Sequence, residues 1–192
     1  MMKLALTTSA AALLCVAGPA TAASTDVLAD EAAVIEEALS AAPPQVAENA
    51  RVLDLEGNVL REGTGAFTCF PAPPALAGPM CLDEQWLDWM HAWMHEEPFT
   101  PSAVGFAYML AGDTPNGGAS NIHPFDMEPT ADNDWVVEGP HAMIIVPDES
   151  LLAGLPITPE ADRPYVMWSG TPYVHVMWPM DERPEQRPLP TQ

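Results

Sequence analysis

The sequence predicts an α+β fold in which a mostly antiparallel sheet carries one main amphipathic helix on one face. Short strand-like segments outnumber helical ones, and the clearest helical pattern, residues 81–97, lies between them in chain order. Two pairs of strand-like segments are joined by turn residues, "EGN" within 51–63 and "SGTP" between 165–168 and 173–178. Hairpins of this kind favour antiparallel pairing.

Residues 1–22 are typical of a signal peptide. Lys3 precedes a short apolar run, and Ala20, Thr21 and Ala22 match the small-x-small pattern before a cleavage site. The run is too short to span a membrane, and no later stretch reaches the length that a spanning helix needs. We therefore expect a protein without a membrane span, located in the periplasm or secreted.

The remaining chain divides into three regions. Residues 23–44 predict an amphipathic helix that ends in a proline linker, because Leu28, Ala32, Ile35 and Leu39 recur at helical spacing before Pro43. Residues 45–178 predict a single globular domain. Residues 179–192 are rich in proline and charge, and we expect them to be disordered.

Within the domain, residues 67–70, 103–110 and 141–146 predict further strands, in addition to the two hairpins. The segment 111–134 is rich in glycine, proline, asparagine and aspartate. A loop of this length in a compact domain is usually functional or flexible.

The charge limits the possible partners. The chain has 27 acidic residues against six Lys and Arg, and its formal net charge is −21 at pH 7. Such a surface disfavours nucleic acid and suits a cation or a basic protein partner. Because Lys3 is the only lysine, the mature chain has no lysine for a Schiff base or a phosphate-binding loop. High charge can also serve solubility alone.

Cys69 and Cys81 remain after removal of the predicted signal peptide, which contains Cys15. An even pair in an exported protein predicts a disulfide. A thiolate pair that binds a soft metal is the alternative.

Four segments resemble a family of exported bacterial proteins of uncharacterised activity: "TCFP…PMCLDEQW", "YMLAGDTPNGGASNIHPF", "GPHAMIIVPD" and "MWSGTPYVHVM". The resemblance spans about residues 50–180. It implies export and one domain, and it implies no activity. His123 departs from the aspartate that is frequent at its place in that family.

Two His-x-Met pairs give the first candidate site. His141 and Met143 share one face of a strand, as do His175 and Met177, since side chains alternate along a strand. If the two strands are neighbours, these groups predict a site for a soft or borderline metal, with copper preferred over zinc. Alternatively, the methionines fill the core and the histidines make buried hydrogen bonds or lie near its rim.

A second candidate metal site lies on helix 81–97. Asp88, His91 and His95 share one side of this helix, opposite a stripe that contains Trp86 and Trp93. If the tryptophans face the core, the histidine stripe faces solvent, which is also typical of an ordinary helix surface.

The segment 111–134 gives a third candidate. Its acidic and amide side chains could bind calcium, although no EF-hand spacing occurs. His123 and Asp126, together with His141, could also provide acid–base chemistry in a cleft beneath this loop.

We therefore expect an exported acidic binding domain that captures a metal such as copper through histidine and methionine. The alternatives are a hydrolase-like enzyme with a histidine and aspartate cleft, and a structural or partner-binding domain without a small-ligand site. Converging His and Met side chains without an open cleft would favour metal capture. A deep pocket with shifted His and Asp pKa values would favour catalysis.

Overall fold

The computed structural model describes residues 22–73 and 78–189, with side chains from residue 30 onward. Within these ranges the fold is α+β and dominated by a sheet, as the sequence predicts. The predicted signal peptide lies almost entirely outside the described residues. The α-helices are α1 (Ala22–Leu39), α2 (Pro44–Ala47) and α3 (Glu84–Met94), and Glu149–Leu152 forms a short 3-10 helix.

Eight strands form the main sheet, in the order β2-β1-β3-β4-β5-β8-β10-β9. They are β1 (Arg51–Leu53), β2 (Val59–Arg61), β3 (Thr68–Phe70), β4 (Met80–Leu82), β5 (Gly105–Met109), β8 (His141–Ile145), β9 (Tyr165–Met167) and β10 (His175–Pro179). Strand β6 (Ala119–Ser120) lies within the segment 111–134 that sequence analysis assigned to a long loop, and it pairs with β7 (Trp135–Val136), which directly follows that segment.

Antiparallel pairing dominates the main sheet. Strands β1 and β2 pair in this way, as do β9 and β10, so both predicted hairpins are present. Only β1 and β3 pair in parallel among the described strands. The mostly antiparallel sheet expected from the sequence is therefore confirmed.

Helices cover both faces of the sheet, whereas sequence analysis expected one main helix on one face. On the first face, Trp86 and Trp89 of α3 pack with Leu82. On the opposite face, Ala38 of α1 packs with Cys69 and others. Helix α1 has 18 residues. Even so, no helix in the described part of the chain is both long and apolar enough to cross a membrane.

Helix α3 begins three residues later than the sequence pattern suggests. The Asp83 side chain caps it by accepting a hydrogen bond from the Trp86 backbone N–H. The preceding residues, 80–82, belong to β4, where Cys81 lies opposite Cys69 of β3 and is bonded to it. The predicted disulfide is thus present, and strand pairing replaces the first turn of the expected helix.

The C-terminal segment has defined contacts with the domain. Pro179 ends β10, and residues 181–189 have no regular secondary structure. Arg183 forms an ion pair with buried Glu138, and Gln186 exchanges hydrogen bonds with the backbone of Val137. The sequence contains no local sign of these partners, because they lie about 45 residues away. Residues 190–192 lie outside the described part.

Candidate ligand-binding cavity

The two His-x-Met pairs lie on adjacent strands. Strand β8 pairs antiparallel with β10, and Met143 lies directly opposite Met177. Side chains at directly opposed positions point to the same face of a sheet. The two methionines therefore lie side by side on the face that packs against α3.

The same register separates the two histidines. His141 lies opposite Pro179 at one end of the pairing, while His175 lies at the other end. This offset of four residues places their Cα atoms roughly 14 Å apart, given about 3.4 Å per residue and the spacing between strands. On its other side, His175 lies opposite Met167 of β9. The residue directly opposite His175 on this side is therefore a methionine that was not among the candidates.

A cavity of about 650 Å³ opens over this face. Its floor is the sheet, one wall is α3, and the other wall is the segment 113–138. The turn 54–57 between β1 and β2 also contributes to the lining. Its volume lies within the range of small-molecule sites, roughly 300–1,000 Å³.

The cavity is lined mainly by methionine and tryptophan. Eight of the eleven methionines and five of the six tryptophans contribute, so the lining holds most of the chain's soft and aromatic side chains. They are Met80, Met90, Met94, Met109, Met127, Met143, Met167, Met177, Trp86, Trp89, Trp93, Trp135 and Trp168. Thioether side chains adapt to ligands of different shape, and indoles offer large flat surfaces.

The cavity has a buried end and an exposed end. At the buried end, His141, Met167 and His175 are each at most 3 % exposed. At the other end, Leu55, Met94 and Met127 are about half exposed. A ligand would therefore enter past these three apolar side chains and reach the histidines last.

Each buried histidine is oriented by a backbone carbonyl. The Nδ1 atom of His141 lies 2.7 Å from the Gly139 carbonyl oxygen, and that of His175 lies 2.9 Å from the Tyr173 carbonyl oxygen. Since a carbonyl only accepts, Nδ1 donates a proton to the hydrogen bond in both rings, and Nε2 is the nitrogen that faces away from this bond. This orientation is typical of imidazoles that bind a ligand through Nε2.

Three indoles surround the imidazole of His175. The ring centroids of Trp86, Trp89 and Trp168 lie 5.4, 5.5 and 5.0 Å from it, each in an edge-to-face arrangement. Burial lowers the pKa of His175 from 6.5 to about 4. His175 is therefore uncharged at neutral pH and presents an acceptor, not a cation, to the cavity.

Two acidic side chains line the cavity near His141. Burial raises the pKa of Asp113, and the opposing influence of His141 is smaller. Glu138 accepts a hydrogen bond of 2.8 Å from the Tyr165 hydroxyl and pairs with Arg183. Burial, followed by Glu138, raises the pKa of Tyr165. The carboxylate of Glu138 is thus paired with a cation, whereas the Asp113 carboxyl group accepts a hydrogen bond of 2.8 Å from the Glu138 backbone N–H.

The second candidate site lies outside the cavity. Asp88, His91 and His95 are exposed on the solvent side of α3. The two imidazoles stack at 4.2 Å between centroids, and Nδ1 of His95 lies 2.7 Å from the His91 carbonyl oxygen. Trp86 on the opposite side is buried, as predicted, while Trp93 is only partly buried. Within the described ranges, no three His, Cys, Asp or Glu side chains gather as a metal site would require.

The loop candidates are divided between cavity and solvent. Asp126 lines the cavity, but its Oδ2 atom accepts a hydrogen bond of 2.9 Å from the Asn133 amide. His123 is exposed, is not among the lining residues, and donates its backbone N–H to the Ser120 hydroxyl. The structure therefore does not bring His123 and His141 together in one cleft.

Sequence reasoning missed several residues of the cavity. Met167 and Trp168 were assigned only to a hairpin, and Asp113 only to the loop 111–134 as a possible calcium ligand. An alternating "YVM" strand next to "HVM" could have indicated Met167, because hairpin pairing places it beside His175. Glu138 had no comparable signal.

No protein-family model matches the chain, and neither a curated protein nor a solved structure is significantly similar to it. The resemblance to exported bacterial proteins therefore stays an expectation. The function has to be argued from the cavity itself.

Proposed function

We propose that the chain is a binding protein for a small, largely apolar organic molecule. The cavity of about 650 Å³, lined by methionine and tryptophan on the sheet face below α3, carries this proposal. Hydration of such an apolar lining is unfavourable. An apolar ligand that displaces water from the cavity is therefore stabilised by the hydrophobic effect.

The ligand is uncharged or cationic and carries at least one hydrogen-bond donor. The chain has a net charge of −21, so an anion would be repelled from it. The neutral imidazole of His175 offers an acceptor at the buried end. A donor group on the ligand would reach it only after the apolar body had entered.

Catalysis is the second candidate, because the structure has the deep cavity and the shifted pKa values of His175 and Asp113 that this alternative requires. Asp113 and His141 would then act on a water molecule as an acid–base pair. However, no Ser, Thr or Cys is among the described residues that line the cavity, so no side-chain hydroxyl or thiol nucleophile is available there. We therefore place binding first.

We propose that the protein works outside the cytoplasm, in the periplasm or as a secreted protein. The Cys69–Cys81 disulfide supports this location, because such bonds persist in oxidising compartments. Mass spectrometry of the protein purified from its own host tests this point. A mature chain that starts at Ala23 would support export, and an intact Met1 would contradict it.

Binding is best tested with two dyes that share one ring skeleton. N-phenyl-1-naphthylamine is neutral, whereas 1-anilinonaphthalene-8-sulfonate carries an added sulfonate. We expect saturable binding of the neutral dye at one site, accompanied by a change in tryptophan fluorescence, and weaker binding of the sulfonate. Preference for the anionic dye would overturn the proposed ligand class.

Two methionines with nearly equal exposure provide a matched pair of variants. Met127 is 47 % exposed at the cavity mouth, and Met180 is 49 % exposed outside the cavity. Met127→Glu should weaken binding of the neutral dye about tenfold, because it places a carboxylate where apolar contact is needed. Met180→Glu should leave it unchanged. Equal affinity in the two variants, or no saturable binding to the wild type, would refute the cavity as the binding site.

A further inference from the structure

Sulfur atoms gather around His175 at the buried end of the cavity. Met167 lies directly opposite His175 on β9, and Met177 lies two residues further along β10, on the same face. Met143 lies opposite Met177 on β8. Cross-strand neighbours in such positions have Cβ atoms about 5 Å apart, and all four side chains are at most 8 % exposed.

The imidazole in this group is oriented as a ligand. Its Nδ1 atom is held by the Tyr173 carbonyl oxygen, which leaves Nε2 to bind. These four residues line the same cavity as Trp86, Trp89 and Trp168. The three indoles surround the His175 imidazole and exclude water from it. Aromatic faces also attract cations.

We propose that His175, Met143, Met167 and Met177 form a site for one soft monovalent cation, Cu⁺ or Ag⁺. Three thioethers and one imidazole are uncharged soft or borderline donors, and thioether ligands select Cu⁺ over harder ions. Calcium and zinc require oxygen, thiolate or several imidazole ligands, which this group lacks. A single positive charge also costs less to bury than a double charge.

This site differs from the one that the sequence suggested. The strand register places Met167 beside His175 and moves His141 to the far end of the pairing. His141 lies opposite Met109 instead. The cation site therefore uses one histidine, and His141 is left near Asp113 as a separate polar group.

Silver is the probe of choice, because Ag⁺ resembles Cu⁺ as a soft ion and does not change oxidation state during the titration. We expect one tightly bound Ag⁺ for each chain in chloride-free buffer, with quenching of tryptophan fluorescence. An anaerobic titration with Cu⁺ against a colorimetric Cu⁺ chelator should give the same stoichiometry. Failure of the wild type to bind either ion at this stoichiometry would overturn the site.

Methionine-to-leucine variants test the donors while retaining the apolar volume. Met167→Leu combined with Met177→Leu should weaken Ag⁺ binding by about tenfold or more. The matched control, Met80→Leu combined with Met109→Leu, alters two cavity methionines outside the site and should leave Ag⁺ affinity unchanged. Equal loss in both double variants would overturn the assignment.

Two histidine variants complete the test. His175→Gln should weaken Ag⁺ binding as strongly as the Met167→Leu and Met177→Leu pair. Replacing both exposed histidines, His91→Gln with His95→Gln, should leave Ag⁺ affinity unchanged. Loss of Ag⁺ binding in this surface variant would overturn the proposal and assign the ion to α3.

The cation site and the organic-ligand site can fail separately. The Met167→Leu and Met177→Leu variant keeps an apolar lining and should still bind N-phenyl-1-naphthylamine. Met127→Glu, at the cavity mouth, should still bind Ag⁺. Retained dye binding with no Ag⁺ binding in the wild type would overturn only the cation site, and the reverse would overturn only the proposed organic ligand.

Discussion

The Nε atom of Arg183 donates a hydrogen bond of 3.1 Å to Oε2 of Glu138 across 45 residues of sequence. The Glu138 side chain is 2 % exposed, and that of Arg183 is 17 % exposed. Arg183→Met would leave a buried carboxylate without its partner. We expect the free energy of unfolding to fall by about 3–5 kcal/mol, measured by urea denaturation.

Arg163→Met is the control for this change. Arg163 pairs with Glu160 at the surface, where its side chain is 60 % exposed. Exposed pairs contribute at most about 1 kcal/mol, so this variant should be nearly as stable as the wild type. Comparable losses in the two arginine variants would contradict the buried ion pair.

The depressed pKa of His175 predicts a loss of stability in acid. The unfolded chain protonates this imidazole near pH 6.5, whereas the folded chain resists protonation until about pH 4. The unfolded state therefore binds more protons in this interval, and stability falls as the pH falls through it. The neutral His175 imidazole contributes about 3 kcal/mol to the free energy of unfolding, and this contribution is fully present above pH 6.5 and lost by pH 4.

Urea denaturation at several pH values can isolate this contribution. His175→Gln should show a weaker loss of stability between pH 6.5 and pH 4 than the wild type, whereas His91→Gln should follow the wild type. The raised pKa of Asp113 changes the stability in the opposite direction, because the contribution of Asp113 to the free energy of unfolding is lost as the pH rises. Parallel pH profiles for the wild type and His175→Gln would contradict the buried neutral imidazole.

Replacing either of two buried tryptophans with phenylalanine should change the stability by different amounts. The Trp89 indole N–H donates a hydrogen bond of 3.3 Å to the Tyr173 carbonyl oxygen, whereas the buried N–H of Trp86 has no acceptor among the described residues. Trp86→Phe removes an unsatisfied donor, and Trp89→Phe removes a satisfied one. We expect Trp89→Phe to be the less stable variant by about 1–2 kcal/mol. Thermal and urea denaturation would show the order, and the reverse order would exclude this explanation.

From the disulfide we expect a defined number of free thiols and a measurable part of the free energy of unfolding. Unfolded but unreduced protein that lacks residues 1–22 should contain no free thiol, and reduction should expose two. Replacing Cys69 and Cys81 together with alanine should lower the free energy of unfolding by about 3 kcal/mol, given a separation of 12 residues. Two thiols without reduction would contradict the bond.

Local patterns predicted those parts of the fold that depend on neighbouring residues. The period of α1, the two hairpins and the pairing of Cys69 with Cys81 can be read from nearby residues. The parallel pairing of β1 with β3 and the docking of Arg183 on Glu138 cannot, because their partners are distant and their segments are short or rich in proline. Long-range packing decides such contacts.

The candidate site was predictable only in part for a related reason. Strand alternation placed Met143 and Met177 on one face, and the adjacency of their strands agrees with that expectation. A methionine that fills a core and one that lines a cavity follow the same alternating pattern, however. The distance between His141 and His175 depends on strand register, which no single strand specifies.

The position of β10 also constrains how the protein folds. This strand comes last among the described strands, yet it lies between β8 and β9 in the sheet, and it carries His175 and Met177. A chain that emerges from a ribosome or a membrane translocon with its N-terminus first cannot complete the sheet before residue 179 has emerged. Until then, Met143 and Tyr165 lack their neighbours on β10 and remain open to solvent or to a chaperone. The cavity therefore forms late in biogenesis, and the proposed ligand can bind only after the whole sheet has assembled.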